Sequence, residues 1–307
     1  MTEATGPLAA LGRISLIGVG AVGSALAVAL DARGAQIAAL STRHPDRARL
    51  VADTLTSRPP ITSPERALAD ADLVILAVPD DSIAELAASL PWRAGQAAIH
   101  LSGAHGLEIL APVTARGAFA AAIHPLMTFP ATGAIPTGAE QLARLAGCVW
   151  ALEASTPALA AKLETLIGAL GGSVVSLRAE DRVPYHIAAV LASNYVTTLL
   201  AAATRLWEPF TGDETMDALP ALLPLLRASV ENLARVGLPG ALSGPIARGD
   251  VGTITRHLAW LDANAGEPGV ADLRAAYIAL ARLAIPVAQA KGTLSAEAAE
   301  ALRGMLG

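Results

Sequence analysis

The sequence predicts an α/β domain built on a doubly wound parallel sheet, residues 1–178, followed by an all-α domain, residues 179–307. Three observations lead there. A glycine motif, Gly18-x-Gly20-x-x-Gly23, stands between a β-branched apolar run and an alanine-rich helical stretch. The run Ala71–Val78 (ADLVILAV) is continuously apolar, as a parallel strand buried on both faces must be. From Ala179 onward the strand signal stops and apolar residues recur only at helical spacing. Strands alternating with helices, then helices alone, imply two different layer architectures in one chain.

In chain order, Arg13–Val19 is the first strand, and the helix behind the glycines continues to about Ala32. Gln36–Leu40 is the second strand. Pro45 suits the start of the next helix, where its missing N–H is no loss. After the Ala71–Val78 strand, Asp80, Asp81 or Ser82 can cap the helix behind Pro79. Ala97–Leu101, Ala118–Ile123, Cys148–Leu152 and Ser173–Leu177 supply further strands, and Thr156–Leu170 is an amphipathic helix among them. Helical periodicity then covers Val183–Trp207, Glu214–Val236, Thr253–Asp262, Asp272–Gln289 and Ser295–Leu306, with glycines and prolines between. The first of these is expected to be one helix buried between the domains. Asp250 is expected to cap the helix that opens near Thr253, and Arg248 is left either as a brace or as a contact for an acidic substrate.

Composition removes several classes. The chain is 53% hydrophobic but 3% aromatic, and its net charge of −5 leaves no basic stripe for nucleic acid. The single cysteine, Cys148, sits in an apolar run and reads as a buried structural thiol; one thiol excludes an internal disulfide framework and suits the reducing cytosol. Two apolar runs resemble export or membrane segments. Ile14–Leu30 lacks the positive flank of a signal peptide and is better explained by its three glycines. Val183–Leu206 is long enough to span a bilayer but carries Pro184, His186, Ser193, Asn194, Thr197 and Thr198, which are costly in lipid. A soluble, cytoplasmic protein is expected, without nucleic-acid or membrane partners.

The glycine motif has the strand–turn–helix setting that a dinucleotide site requires. Gly18 allows the tight turn, Gly20 lets the backbone approach a pyrophosphate, and Gly23 lets helix and strand pack closely. Val19, Ala21 and Val22 complete the loop, and the helix start behind it offers free N–H groups and partial positive charge. At the end of the second strand an NAD site would carry Asp or Glu for the ribose 2′-hydroxyl. Here Ser41, Thr42 and Arg43 stand instead, a set suited to the 2′-phosphate of NADP. The bland alternative is a solvated loop in which Arg43 touches nothing.

These residues resemble the NADP-binding domain of pyrroline-5-carboxylate reductases and deazaflavin-dependent NADP reductases, through Gly18–Gly23, Ser41–Arg43 and Ala77-Val-Pro-Asp80. The resemblance adds Val78 and Pro79 to the cofactor contacts. Further stretches look closer still to the bacterial Rossmann-like proteins that carry a C-terminal domain of unknown function (family 2520). They are His100-Leu-Ser-Gly103, His124–Phe129, Tyr185-His-Ile-Ala-Ala, Ser193-Asn194-Tyr195 and Ser243–Asp250. The likeness implies an NADP-dependent reductase or dehydrogenase with a helical domain in the style of ketopantoate and 6-phosphogluconate dehydrogenases. It names no substrate. One departure matters: enzymes of the 6-phosphogluconate type place a catalytic lysine one turn before an asparagine, and four residues before Asn194 stands Val190. Lys162 and Lys291 are the only lysines in the chain.

Ligands of such sheets bind beyond the carboxyl ends of the strands. Ser102 follows one strand and His124 ends the next, while His186, Ser193 and Asn194 lie on the helix that enters the second domain. Seven residues apart, His186 and Ser193 share a helix face about two turns, or roughly 10 Å, apart. The expected catalytic set is therefore His186, His124, Ser102, Ser193 and Asn194, acting on a small carbonyl, imine or hydroxy-acid substrate. Each has a purely structural alternative: a turn for His124 and Ser102, a core histidine for His186, a helix–helix contact for Asn194. His100, His105 and His124 lack the spacing of a zinc site. A non-catalytic NADP sensor or scaffold is the competing function. The apolar helices after Leu177 are expected to join two copies as a homodimer.

Overall fold

A seven-stranded sheet forms the first part of the chain in the computed structural model, which describes residues 8, 11–129, 134–210 and 217–307. The strands are β1 (Arg13–Ile17), β2 (Gln36–Ser41), β3 (Leu73–Leu76), β4 (Ala97–His100), β5 (Phe119–Pro125), β6 (Val149–Ala154) and β7 (Ser173–Ser176). They lie side by side in the order β2-β1-β3-β4-β5-β6-β7. β1 to β5 are parallel neighbours, β6 runs antiparallel to β5, and β7 runs parallel to β6. The reversal at β6 departs from the all-parallel expectation, because an apolar strand pattern carries no direction.

Helices α1 (Ala21–Ala32), α2 (Pro45–Thr54), α3 (Pro64–Ala69), α4 (Asp80–Ser89), α5 (Ala111–Thr114), α6 (Gly138–Leu145) and α7 (Pro157–Ala169) connect the strands. One face of the sheet is sealed by a cluster that includes Ile14, Leu16, Leu26, Leu30, Ile99, Ile123 and Trp150. The other is sealed by Val74, Leu76, Ile83, Leu90, Ala98 and Ala120. Full burial of each such aliphatic side chain contributes roughly 1.5–3 kcal/mol. Helix starts follow local chemistry: Thr156 caps α7 through the Leu159 N–H, and Thr137 with Glu140 forms a reciprocal capping box on α6. The α4 expectation needs correction. Its N-cap is Pro79 and no side chain caps it, because the Asp80 carboxylate is turned to Ser102.

The chain divides into two units, Met1–Asn194 and Tyr195–Gly307. α8 (Arg182–Ala192), which follows a short 3-10 turn at Ala179–Asp181, belongs to the first, beyond the expected limit at residue 178. The predicted single helix Val183–Trp207 is in fact two, α8 and α9 (Asn194–Trp207), because Ser193 leaves helical backbone at φ −129° and ψ −72°. Nor is this stretch buried in the single chain. Val183, Ile187 and Leu191 of α8 are 63%, 54% and 54% exposed. By length and composition residues 179–207 could cross a membrane, with a mean hydropathy of 1.5.

The second unit also contains α10 (Ala218–Val236), α11 (Pro245–Arg248), α12 (Val251–Ala263), α13 (Val270–Lys291) and α14 (Ala296–Leu306). The first residues of the predicted Glu214–Val236 helix lie outside the described residues. Ile254, Ile285, Ala288, Ala299 and Leu302 form its core. Asp250 caps α12 as expected, accepting from the Thr253 N–H at 2.9 Å and from its hydroxyl at 2.7 Å. Cys148 is buried, and desolvation pushes its thiol up.

Candidate active site

The three glycines of the first loop are held by three different surroundings. Gly18 has φ +102°, and a Cβ there would stand 2.2 Å from the Ala77 carbonyl oxygen. Its N–H donates to the Ser41 carbonyl at 2.8 Å, so the turn is clamped between the ends of β2 and β3. A Cβ on Gly23 would lie 2.1 Å from the Gly18 oxygen, which sets how closely α1 seats on the turn. At Gly20 a Cβ would meet nothing within 4 Å. The backbone is therefore open only where a phosphate would approach. α1 starts at this point with no side-chain cap and no acidic residue in its first turn, so its N–H groups and positive end are left for an anion. The Val19 carbonyl is fixed by the Ser24 hydroxyl at 3.1 Å and by Nε of Arg47 at 2.9 Å. The other loop members, Ala21 and Val22, begin α1 itself.

Beside this loop, Ser41 is buried at the end of β2, Thr42 takes the His44 N–H on its hydroxyl, and Arg43 is exposed. The Arg43 guanidinium makes no hydrogen bond or ion pair among the described residues. Val78 and Pro79 follow β3 directly, and the Val78 nitrogen is 2.9 Å from where a Gly18 Cβ would stand.

A second cluster forms where β4 and β5 end. Pairing sets His100, Ala122 and Glu153 in one row across β4, β5 and β6, with their side chains on the same face. Nδ1 of His100 accepts the Ser102 N–H at 3.2 Å, so its hydrogen is on Nε2, which donates to the Gly106 carbonyl at 2.9 Å. Burial drives this imidazole down to about 4, keeping it neutral. Ser102 donates its hydroxyl to Asp80 at 2.6 Å and accepts the N–H groups of Ala104 and His105, both at 3.2 Å. That hydroxyl organises the loop, which is the turn role that the sequence left open.

Above this loop, two histidines close on Gly103. A Cβ there would lie 2.7 Å from Nδ1 of His186 and 2.9 Å from Nε2 of His124. The two rings meet edge to face with centroids 6.1 Å apart. Nδ1 of His124 is 2.8 Å from the Tyr185 hydroxyl, whereas Nδ1 of His186 is buried with no partner among the described residues. Burial, reinforced by His186 and Arg182, pushes His124 down to about 4; burial pushes Tyr185 up to about 12. Both are neutral at pH 7.

Two residues gathered here escaped sequence reasoning, Arg182 and Tyr185, and they stand beside the expected His186. Arg182, Tyr185 and His186 stand at i, i+3 and i+4, one face of α8, and all three face β4–β6 and their loops. Arg182 is 2% exposed and its Nε donates to Glu153 at 2.9 Å. Pairing His186 with Ser193 instead chose a face that the helix does not extend to. Ser193 ends α8 and Asn194 begins α9, roughly 10 Å along from His186. Among the described residues no three His, Cys, Asp or Glu side chains group as metal ligands.

Parallel strands, a glycine turn between β1 and α1, and polar side chains gathered at the carboxyl edge define a Rossmann-type nucleotide-binding fold. The Rossmann-like domain family matches residues 5–125, and a domain of unknown function, DUF2520, matches residues 148–284. The chain thus matches the two models one after the other, each over less than half of its length. Comparison with curated proteins gave no match. Among solved structures, one from Bacteroides fragilis, described as a candidate NADP oxidoreductase, is 23% identical with a TM-score of 0.69, covering 90% of this chain and 98% of that one. The 1-pyrroline-5-carboxylate reductase of Streptococcus pyogenes is 19% identical with a TM-score of 0.58, covering 88% and 98%. A reductive aminase of Aspergillus terreus, solved with NADPH and ethyl-5-oxohexanoate, is 18% identical with a TM-score of 0.54, covering 96% and 92%. These likenesses establish the fold.

Proposed function

We propose that this chain is an NADP-dependent oxidoreductase that moves hydride to or from a small carbonyl, imine or hydroxy-acid substrate. The observation that carries the reading is the pairing of two features in one unit: an open, uncapped glycine turn, and the buried, neutral His100 and His124 on the adjoining strand ends. The cofactor fits the residues. Gly20 leaves space for a pyrophosphate, the start of α1 offers N–H groups, and Arg43 is free for a 2′-phosphate. The Aspergillus terreus relative was solved with NADPH, which supports the same choice over NAD.

When bound, the nicotinamide supplies the hydride. The chain supplies the proton and the geometry. With the Tyr185 hydroxyl donating to Nδ1, His124 carries its hydrogen on Nε2, the atom turned toward Gly103 and His186. That N–H is the donor to the nitrogen or oxygen being reduced, and as its proton leaves, Nδ1 takes the Tyr185 hydroxyl proton, so the ring stays neutral and the phenolate is reprotonated from solvent. Nδ1 of His186, buried and without a partner among the described residues, is placed to take the N–H or O–H of the amine or alcohol once formed. Ser102 and Asp80 hold the loop beneath them. Ser193 and Asn194, further along, border the substrate rather than the reacting atom.

We further place the protein in the cytosol as a soluble homodimer. The support is the apolar stripe Val183, Ile187 and Leu191 on α8, more than half exposed, with Leu225 and Val230 similarly exposed on α10. The test of function is hydride transfer from 4-deuterated NADPH to a panel of carbonyls and imines. Deuterium in a product supports the reading. Tight NADPH binding with no transfer to any member favours the sensor or scaffold instead.

A further inference from the structure

We infer that the substrate of this site carries a carboxylate, and that Arg182 is the residue that reads it. The inference rests on the oxidoreductase reading and adds the substrate class. Arg182 is 2% exposed, so its charge is held away from water. Glu153 takes only Nε, at 2.9 Å. Nη1 and Nη2 are both buried and have no acceptor among the described residues. Four N–H groups of a cation are thereby left unsatisfied, and a purely structural clamp between α8 and β6 would need none of them. The end of a guanidinium that is left over presents two parallel N–H donors, the fork that a carboxylate fills with both oxygens.

Its surroundings say which way the charge works. Arg182 lies near enough to His100, His124 and Tyr185 for its charge to bear on each. Its Nε and the Glu153 carboxylate both lie against Gly106, whose carbonyl accepts from His100. Glu108 and Asp80 are the other carboxylates near His100. Glu108 is 61% exposed and already accepts the Gly106 N–H, and Asp80 is held by Ser102. Both histidines are kept neutral by burial, so Arg182 is the cation that faces the cluster. A Cβ on Gly106 would stand 2.5 Å from Glu108 Oε2, 3.0 Å from Glu153 Oε2 and 3.3 Å from Arg182 Nε, so the glycine lets the loop lie against all three. One turn of α8 thus offers a fork for an acid group at Arg182 and the proton machinery at Tyr185 and His186. A 2-oxo acid or the matching imino acid carries both features, a carboxylate and a neighbouring atom to be protonated.

The test compares oxamate with its uncharged counterpart oxamide, titrated calorimetrically into the full-length protein saturated with NADPH. Oxamate binding on the order of tenfold tighter or more is expected. Arg182→Gln should abolish that preference while NADPH affinity stays unchanged. Equal binding of the two probes, no binding of oxamate, or an undiminished preference in Arg182→Gln overturns the inference. Should Arg182→Gln fail to fold, Arg182→Met with Glu153→Met removes both charges together and carries the same expectation. Turnover separates the two levels of the argument. If 2-oxo acids and their methyl esters are reduced equally well, the reductase reading stands and the carboxylate falls. If nothing is reduced, the reductase reading falls and the oxamate comparison still decides Arg182.

Discussion

The Tyr185 hydroxyl stands 2.8 Å from Nδ1 of His124, across the gap between α8 and β5. With the hydroxyl as donor, that bond leaves the imidazole hydrogen on Nε2, the atom on which the proposed proton delivery depends. Tyr185→Phe should leave NADPH binding intact and lower turnover by on the order of tenfold to a hundredfold, with a larger loss in His124→Asn. Steady-state rates at saturating NADPH check this. Full activity in Tyr185→Phe would remove the tyrosine from the mechanism.

The three glycines should separate folding from binding. Alanine at Gly18 or Gly23 drives a Cβ within 2.2 Å of a carbonyl oxygen and should lower the melting temperature markedly. Alanine at Gly20 meets nothing and should melt like the native protein, yet bind NADPH on the order of a hundredfold more weakly. Calorimetry and thermal melts on the three variants decide it; a Gly20→Ala protein that binds NADPH normally contradicts the cofactor placement.

Arg43 makes no bond of its own among the described residues, so its removal should cost the fold nothing. Arg43→Ala should weaken NADPH by roughly tenfold or more while leaving NADH unaltered, since only one carries the 2′-phosphate. Parallel titrations of both cofactors read the ratio. An unchanged ratio, or native protein that prefers NADH, refutes the assignment.

His100 and His124 both fall from 6.5 to about 4 on folding, through burial. Between these values the unfolded chain binds more protons than the folded one, so stability must fall as pH drops through that window. It is fully present above about 6.5 and levels off, for these two groups, below about 4. The loss is on the order of 1.4 kcal/mol per pH unit per histidine at most. Urea midpoints at pH 7.5 and 5.0 measure it. His100→Gln should flatten the slope, and equal midpoints in the native protein would show the rings to be solvated.

Charge on the apolar stripe of α8 should split the proposed dimer. Ile187→Glu with Leu191→Glu should give a folded monomer by sedimentation, because both side chains are 54% exposed in the single chain. If the native protein already sediments as a monomer at micromolar concentration, the stripe has another use.

The glycine turn and most element positions could be read directly, because those signals are local. Gly18, Gly20 and Gly23 need only a strand before and a helix after. Thr137 and Glu140 spelled a capping box at the start of α6 just as locally, and that helix was overlooked. What no local pattern held was pairing at a distance. The reversal of β6, which brings Glu153 level with His100, depends on which strand finds which neighbour. Arg182 carries no signal of its own in the sequence, and only that row gives it a partner. Ser193 misled for the opposite reason: the apolar periodicity runs through it unbroken, while the backbone does not.

Because Arg182, Tyr185 and His186 share one face of α8, a single quantity governs all three, the rotational phase at which the helix leaves the Ala179–Asp181 turn. One residue inserted in that turn would advance the phase by about 100°. Pro184 and Tyr185 would then fall where Tyr185 and His186 had been, and Asp181 would replace Arg182 against Glu153. The same advance would carry Val183, Ile187 and Leu191 into the places of Pro184, Ala188 and Ala192. The turn before α8 is therefore a clock hand for the whole molecule: its length tells the acid fork, the proton donor and the apolar stripe the same hour.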